Sequence, residues 1–214
     1  MLRLMLFATL CVASVSAHAE ELSLQDFVAK VTGPGSGVQV TEEGTIALLY
    51  RAHLLSEKRW VEGSKLTFEW QPPETAKGDD GRTYGDHLCV RIRSTGAIRS
   101  KRSYEAADGI VIRIDSTNGD VYVQTTPDGG ENFENLKNGF KKGSGPISAE
   151  WHSVSVLDTD GGITVSLDGK VILTADLPEK HPITDVWGFY NREPVGPGKK
   201  VSLLRKMTIV SPPQ

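Results

Sequence analysis

Residues 151–173 read WHSVSVLDTDGGITVSLDGKVIL. Val154 and Val156 alternate with Ser153 and Ser155; after a break, Ile163, Val165 and Leu167 alternate with Thr164, Ser166 and Asp168. Alternation of period two marks strands with one buried face, because successive strand side chains point to opposite sides. The separators, Asp-Thr-Asp-Gly-Gly and Asp-Gly, hold residues that tolerate positive φ and close hairpins. The stretch therefore predicts a three-strand antiparallel meander with an apolar face and a face of short polar side chains.

The same reading extends outward. Ser64–Trp70 sets Leu66, Phe68 and Trp70 against Lys65, Thr67 and Glu69, and Pro72-Pro73 ends the strand. Leu88, Val90 and Ile92 oppose Cys89, Arg91 and Arg93. Ile110–Ile114 and Val121–Val123 flank Asn118-Gly119, which predicts a hairpin with a type I′ turn. Val38–Val40, Thr45–Tyr50, Ile183–Tyr190 and Val201–Val210 complete about ten expected strands. Glu20–Val31 reads as an amphipathic entry with one helical turn. The polar, glycine-containing stretches Glu74–Asp86, Ser94–Tyr104 and Thr126–Ser148 read as loops. No helix of core length is expected after Ala29, so the fold class is all-β: a sandwich of two antiparallel sheets.

Arg3, the apolar run Leu4–Val15 and Ala17-His18-Ala19 have the form of an export signal cleaved after Ala19. A lipoprotein signal built on Cys11 is the alternative, although Leu10 fits it poorly. The expected division is a signal peptide at 1–19, one domain at 20–210 and a tail at 211–214, with the mature chain periplasmic or extracellular. That chain has 195 residues, with 23 Lys and Arg against 27 Asp and Glu, so neither nucleic acid nor an anionic membrane is an expected partner. No transmembrane span is expected. Cys89 alone remains after cleavage; no internal disulfide can form, and its place in an apolar strand predicts a buried, inert thiol.

Three segments carry a resemblance. They are Trp60–Trp70, Asp86–Arg93, and Glu150-Trp151-His152 through Asp168-Gly169-Lys170, closing with Val201–Val210. Together they resemble the concanavalin A-like (LamG-like) jelly-roll superfamily, and within it the secreted bacterial 3-keto-disaccharide hydrolase-like domains. The resemblance implies a jelly-roll β-sandwich and a carbohydrate partner. Asp86-His87-Leu88 stands where those domains often carry Asn-Ser-Gly.

Candidate chemistry centres on the polar sides of these strands. Glu69, Arg91, Arg93, Arg113, Tyr122 and Gln124 all oppose apolar positions, and planar Arg and Gln donors beside a Tyr ring suit sugar hydroxyls or uronate carboxylates. Tyr190-Asn191-Arg192 forms a second candidate, with Tyr84 and Tyr104 in polar loops. Paired catalytic carboxylates are not apparent: Asp158 and Asp160 have i, i+2 spacing but read as turn residues. No cofactor is expected. The one ion the loops suggest is a structural calcium, through Asp79-Asp80 or Asp115, Asn118 and Asp120. His53, His87, His152 and His181 are too dispersed for zinc. Three readings stay open: a noncatalytic carbohydrate-recognising module, a glycoside hydrolase or lyase, and an envelope structural protein without a small ligand.

Overall fold

The computed structural model describes residues 19–31, 37–41, 44–49, 52–77, 81, 83–101, 104–126, 133–178, 184–191 and 201–212. The expected signal peptide lies almost wholly outside them. In chain order the described strands begin with β1 (Ala19–Leu22), β2 (Phe27–Val31), β3 (Val38–Val40), β4 (Ile46–Leu48), β5 (Ala52–Ser56), β6 (Lys65–Gln71), β7 (Ala76–Lys77), β8 (Thr83–Tyr84) and β9 (His87–Ser94). They continue with β10 (Ile98–Lys101), β11 (Tyr104–Ala107), β12 (Gly109–Asp115), β13 (Val121–Thr126) and β14 (Glu134–Lys141). The last are β15 (His152–Thr159), β16 (Gly162–Leu167), β17 (Lys170–Asp176), β18 (Val186–Tyr190) and β19 (Leu203–Val210).

Two layers result. The front sheet runs β2-β5-β18-β9-β12-β13-β14, and the back sheet runs β17-β16-β15-β6-β19-β4-β3 with β1 also on β19; every pairing is antiparallel. One apolar cluster fills the space between them. Leu88, Val90, Ile110, Ile112, Trp187 and Phe189 come from the front, and Leu66, Phe68, Trp70, Val154, Val165 and Leu204 from the back. Burying side chains of this size contributes about 1.5–3 kcal/mol each, so the core holds without a disulfide.

The meander of residues 151–173 is present as β15, β16 and β17. Its second turn is tight because Asp168 and Gly169 adopt φ of 49° and 75°, the left-handed pair a type I′ turn needs. The β12–β13 connection differs from the two-residue turn expected. Ser116–Asp120 form a five-residue connection in which Ser116 is buried and its hydroxyl accepts from Asp86 N.

Several other expectations are corrected. Thr126–Ser148 is not one loop, since it contains β14, which bonds β13 of the front sheet and meets β17 of the back sheet at Lys137–Asp176. Only Leu136 and Gly139 of this strand are buried, so it shows no alternation to read. Glu74–Asp86 and Ser94–Tyr104 contribute to the small hairpins β7–β8 and β10–β11. The entry segment holds a 3-10 turn at Leu24–Asp26, capped by Ser23, between two strands. Finally, β5 has no alternation because both its faces are buried.

Candidate functional site

The outer face of the front sheet is ordered in rows by strand register. One row crosses six strands: His53, Tyr190, Cys89, Arg113, Tyr122 and Phe140. The adjacent row is Leu55, Gly188, Arg91, Val111, Gln124 and Asn135. On the other side of the first row, His87 stands opposite Asp115. Residues paired across an antiparallel sheet share a face, so these side chains are brought together although they come from positions 53 to 190.

The face has a closed half and an open half. Tyr190 stacks on His53 with centroids 5.3 Å apart, and both are buried. Cys89, Val111 and Tyr190 form a small cluster against which Phe133 packs. Burial holds the His53 imidazole down to about 3, with the Arg91 and Lys30 charges adding to the effect. Cys89 is thus the buried thiol expected, in no disulfide.

Arg91 belongs to this closed half, contrary to its expected role on an open ligand face. Its side chain is fully buried, donating to Asp108 Oδ1 at 2.7 Å, to Ala97 O at 2.9 Å and to the Ser94 hydroxyl. Burial pulls the guanidinium below its usual range, while Asp108 supports its charge. Burial raises the Asp108 carboxyl, but hydrogen bonds from Ser94 and Thr95 and the charge of Arg91 leave it lowered overall.

Arg93 has left the outer face altogether. Opposite Val186–Gly188, β9 carries an extra residue, and Arg93 takes φ of 49°. This β-bulge re-aims the side chain. The guanidinium enters the space between the sheets, where it donates to Asp158 by Nε to Oδ2 at 2.8 Å and Nη2 to Oδ1 at 2.7 Å. Trp60 Nε1 donates to the same carboxylate at 2.7 Å. Asp158 is therefore a buried residue of β15, not a turn residue.

Glu69 is also elsewhere. It lies on the outer face of the back sheet, paired with Arg205 at 2.6 Å and Lys206 at 2.9 Å, and these hydrogen bonds lower its carboxyl. Asn191 is buried and donates to Leu48 O at 3.1 Å. Arg192 lies outside the described residues, as do Asp79 and Asp80.

The open half gathers Arg113, Tyr122 and Gln124, as expected, and adds His87, Asp115, Asp120, Asn135 and Phe140. The Arg113 guanidinium carbon lies 4.0 Å from the Tyr122 ring centroid. Phe140 stands 4.9 Å from the Tyr122 ring on the next strand and is 46% exposed. Gln124 donates to Asn135 at 3.0 Å. The Tyr122 hydroxyl donates to Asp120, and burial followed by that contact raises it. His87 Nε2 lies 2.9 Å from Asp115 Oδ2. Burial pushes the Asp115 carboxyl up, but the His87 and Thr117 contacts outweigh it and bring it to about 2.

Sequence reasoning missed His87, Asp115 and Phe140 as members of this face. The first two continue the alternation of Cys89 and Arg113, so the signal was present. Phe140 carried none, because β14 went unrecognised.

Asp115 is strongly acidic, and the raised carboxyl is Asp86, which is buried and accepts from His87 N and Ser202 N. Among the described residues no three His, Cys, Asp or Glu side chains converge on one point as metal ligands. A separate cleft of about 750 Å³, lined by Gln39, Val40, Gln71, Pro73 and Leu203 among others, lies on β3, β4, β6 and β19 and includes none of these residues.

No protein-family model and no curated protein matches the sequence. Solved structures do match. The chain is similar to a β-glucanase of Bacillus licheniformis at 12% identity and a TM-score of 0.56, over 94% of this chain and 100% of that one. It is similar to lectin II from Ulex europaeus at 11% identity and 0.60, over 91% and 99%. The exoplasmic/lumenal domain of VIP36, in a form bound to Ca2+ and Man3GlcNAc, matches at 9% identity and 0.62, over 87% and 86%. The fold is the concanavalin A-like jelly roll. Within this jelly roll, the segments that carried the sequence resemblance supply framework: Trp60, Trp70 and Cys89 are all buried. No helix among the described residues is long and apolar enough to cross a membrane.

Proposed function

We propose that this is an exported carbohydrate-recognising protein that holds a poly- or oligosaccharide on the open half of the front sheet. The observation that carries the reading is the row Arg113–Tyr122–Phe140, a cation and two rings on adjacent strands, with Gln124 and Asn135 beside it. Sugars bind through apolar ring faces packed on aromatic side chains and through hydroxyls bonded to planar polar groups. Phe140 is exposed and able to stack; Gln124, Asn135 and Arg113 supply the planar groups. The jelly rolls of similar structure include lectins and a glucanase, which agrees with a carbohydrate ligand at the level of fold.

A noncatalytic role is favoured over hydrolysis, because a glycosidase needs a carboxylic acid held protonated beside a second carboxylate. The open half presents two carboxylates, each committed to neighbouring donors: Asp115, held low by His87 and Thr117, and Asp120, which accepts from Tyr122, Asn118 and Gly143 N. A lyase is the second reading, supported by His87, whose imidazole is oriented by Asp115 one row from Arg113. A carboxylate-oriented imidazole can serve as a base in proton abstraction.

A glycan array with a reducing-sugar release assay on the same preparation tests these readings. Binding without release supports recognition alone. Release with new ultraviolet absorbance from a conjugated double bond supports the lyase. Silence in both assays overturns the carbohydrate reading and leaves a structural envelope role.

A further inference from the structure

The three arginines of β9 and β12 are not equivalent. Arg91 is neutralised by Asp108, and Arg93 by Asp158. Arg113 forms no ion pair among the described residues, and its guanidinium rests on the Tyr122 ring. Its Nε is buried with no hydrogen-bond partner, as is Nη1 of Arg91, which lies diagonally across the same face. Diagonal neighbours on a sheet are about 7–8 Å apart. Buried polar groups in native proteins nearly always have a partner, and leaving one unmet is costly. The neighbouring carboxylates are already engaged: Asp115 by His87 and Thr117, Asp120 by Tyr122, Asn118 and Gly143 N. What the described residues of the open half lack is an acceptor for the Nε of Arg113.

We infer that the saccharide is acidic and that Arg113 receives a uronate carboxylate. This rests on the carbohydrate reading above. Stacking on Tyr122 fixes the plane of the guanidinium and leaves its edge for the paired bonds that carboxylates make. The sugar ring bearing that carboxylate would then extend along the row toward Phe140. Tyr122 and Phe140 set where the ring lies, and Arg113 sets its charge. A sulfate ester is a related oxyanion that a guanidinium can also meet through two oxygens; the carboxylate is the one that is planar like the guanidinium, and uronates are the ligand assigned.

The test is calorimetric titration of the mature protein with galacturonate, mannuronate and glucuronate-containing oligosaccharides. Each is paired with its carboxyl-reduced counterpart, and a sulfated neutral oligosaccharide forms a further arm. At least one uronate should bind, with roughly tenfold or greater loss on carboxyl reduction, and its affinity should fall as salt is raised. Arg113→Gln should reproduce the loss and Arg113→Lys should recover part of it, with thermal unfolding of each variant recorded to confirm folding. The wild-type comparison decides the matter even where a variant fails to fold. Equal binding of the reduced oligomer overturns the acidic assignment while leaving carbohydrate recognition intact. Tighter binding of the sulfated oligomer overturns the uronate assignment. A chain that binds no saccharide, neutral or acidic, overturns both.

Discussion

Arg93 and Asp158 join the two sheets through a bidentate ion pair, with neither side chain more than 4% exposed. Removing one partner of such a pair leaves an uncompensated buried charge, which costs about 3–5 kcal/mol. Asp158→Ala also strips Trp60 Nε1 of its acceptor. Urea denaturation should show a loss of that size, and the double variant Arg93→Met with Asp158→Leu should recover most of it. A single variant as stable as the parent would show that the pair does not hold the layers.

The second buried pair makes Arg91 a stability residue. On strand alternation alone, Arg91→Ala would weaken ligand binding and spare the melting temperature. With the side chain fully buried against Asp108, Ser94 and Ala97, it should instead unfold the protein at lower denaturant by about 3 kcal/mol or more. Conservative Arg113 variants should cost far less. Equal thermal unfolding of Arg91→Ala and wild type would contradict the burial.

His53 should set the acid limit. Its imidazole stays neutral in the fold down to about 3, against an ordinary value near 6.5, because it is desolvated and close to Arg91 and Lys30. The unfolded chain therefore takes up a proton that the folded chain refuses. The associated stability is fully present above pH 6.5 and is lost as pH falls toward 3. The slope is about 1.4 kcal/mol per pH unit. Asp115 adds to this below about pH 4, since its lowered carboxyl favours the fold until it protonates near 2. Chemical denaturation at stepped pH should show the decline, and His53→Phe should flatten it above pH 4. Direct observation of a native His53 titrating near 6.5 would sink the argument.

Alternation identified strands and faces, and it failed where geometry broke the period. The meander was legible because its polar positions are short and its turns carry Asp-Gly. Arg93 was misassigned because a bulge leaves no mark in the run Val90-Arg91-Ile92-Arg93; the residue count alone cannot show that one position is unpaired. Glu69 was grouped with the arginines because alternation says which side of a strand a residue takes, and nothing about which sheet the strand joins. Tyr122 and Gln124 lie on the outer face of the front sheet, the side alternation assigns them, yet the aromatic beside them carries no such signal, since β14 is polar, mostly exposed and shared between two sheets. The closed half escaped notice for another reason: what covers a sheet face is set by loops whose composition does not reveal their path.

Gly109 tests the bulge directly. It adopts φ of 91°, and a Cβ there would come within 2.7 Å of the carbonyl oxygens of Ile92 and Arg93. Both contacts are backbone, so neither can yield without disturbing the turn of β9 that aims Arg93 at Asp158. Gly109→Ala should destabilise by about 1–3 kcal/mol from backbone strain alone, and more if the ion pair is displaced. Gly161→Ala, where a Cβ would meet nothing within 4 Å, is the control and should be nearly neutral. Comparable stability of the two variants would remove the bulge as the reason for Arg93's position.

Phe140 tests the proposed ligand face against the general surface. It is 46% exposed, contacts Tyr122 at 4.9 Å and sits at the end of the row that begins with Arg113. Val171, on β17 of the back sheet, is exposed to 61% and has no place in that row. Truncating either should move stability by no more than about ±0.5 kcal/mol, as exposed positions usually do. Their effects on saccharide binding should diverge. An aromatic contact contributes about 0.5–1.5 kcal/mol beyond area burial, so Phe140→Ala should weaken binding roughly two- to tenfold while Val171→Ala leaves it unchanged. Phe140→Tyr keeps the stacking ring and should bind like the parent. If Phe140→Ala binds as tightly as wild type while Val171→Ala does not, the ligand lies on the back sheet and the open half of the front sheet is not the site.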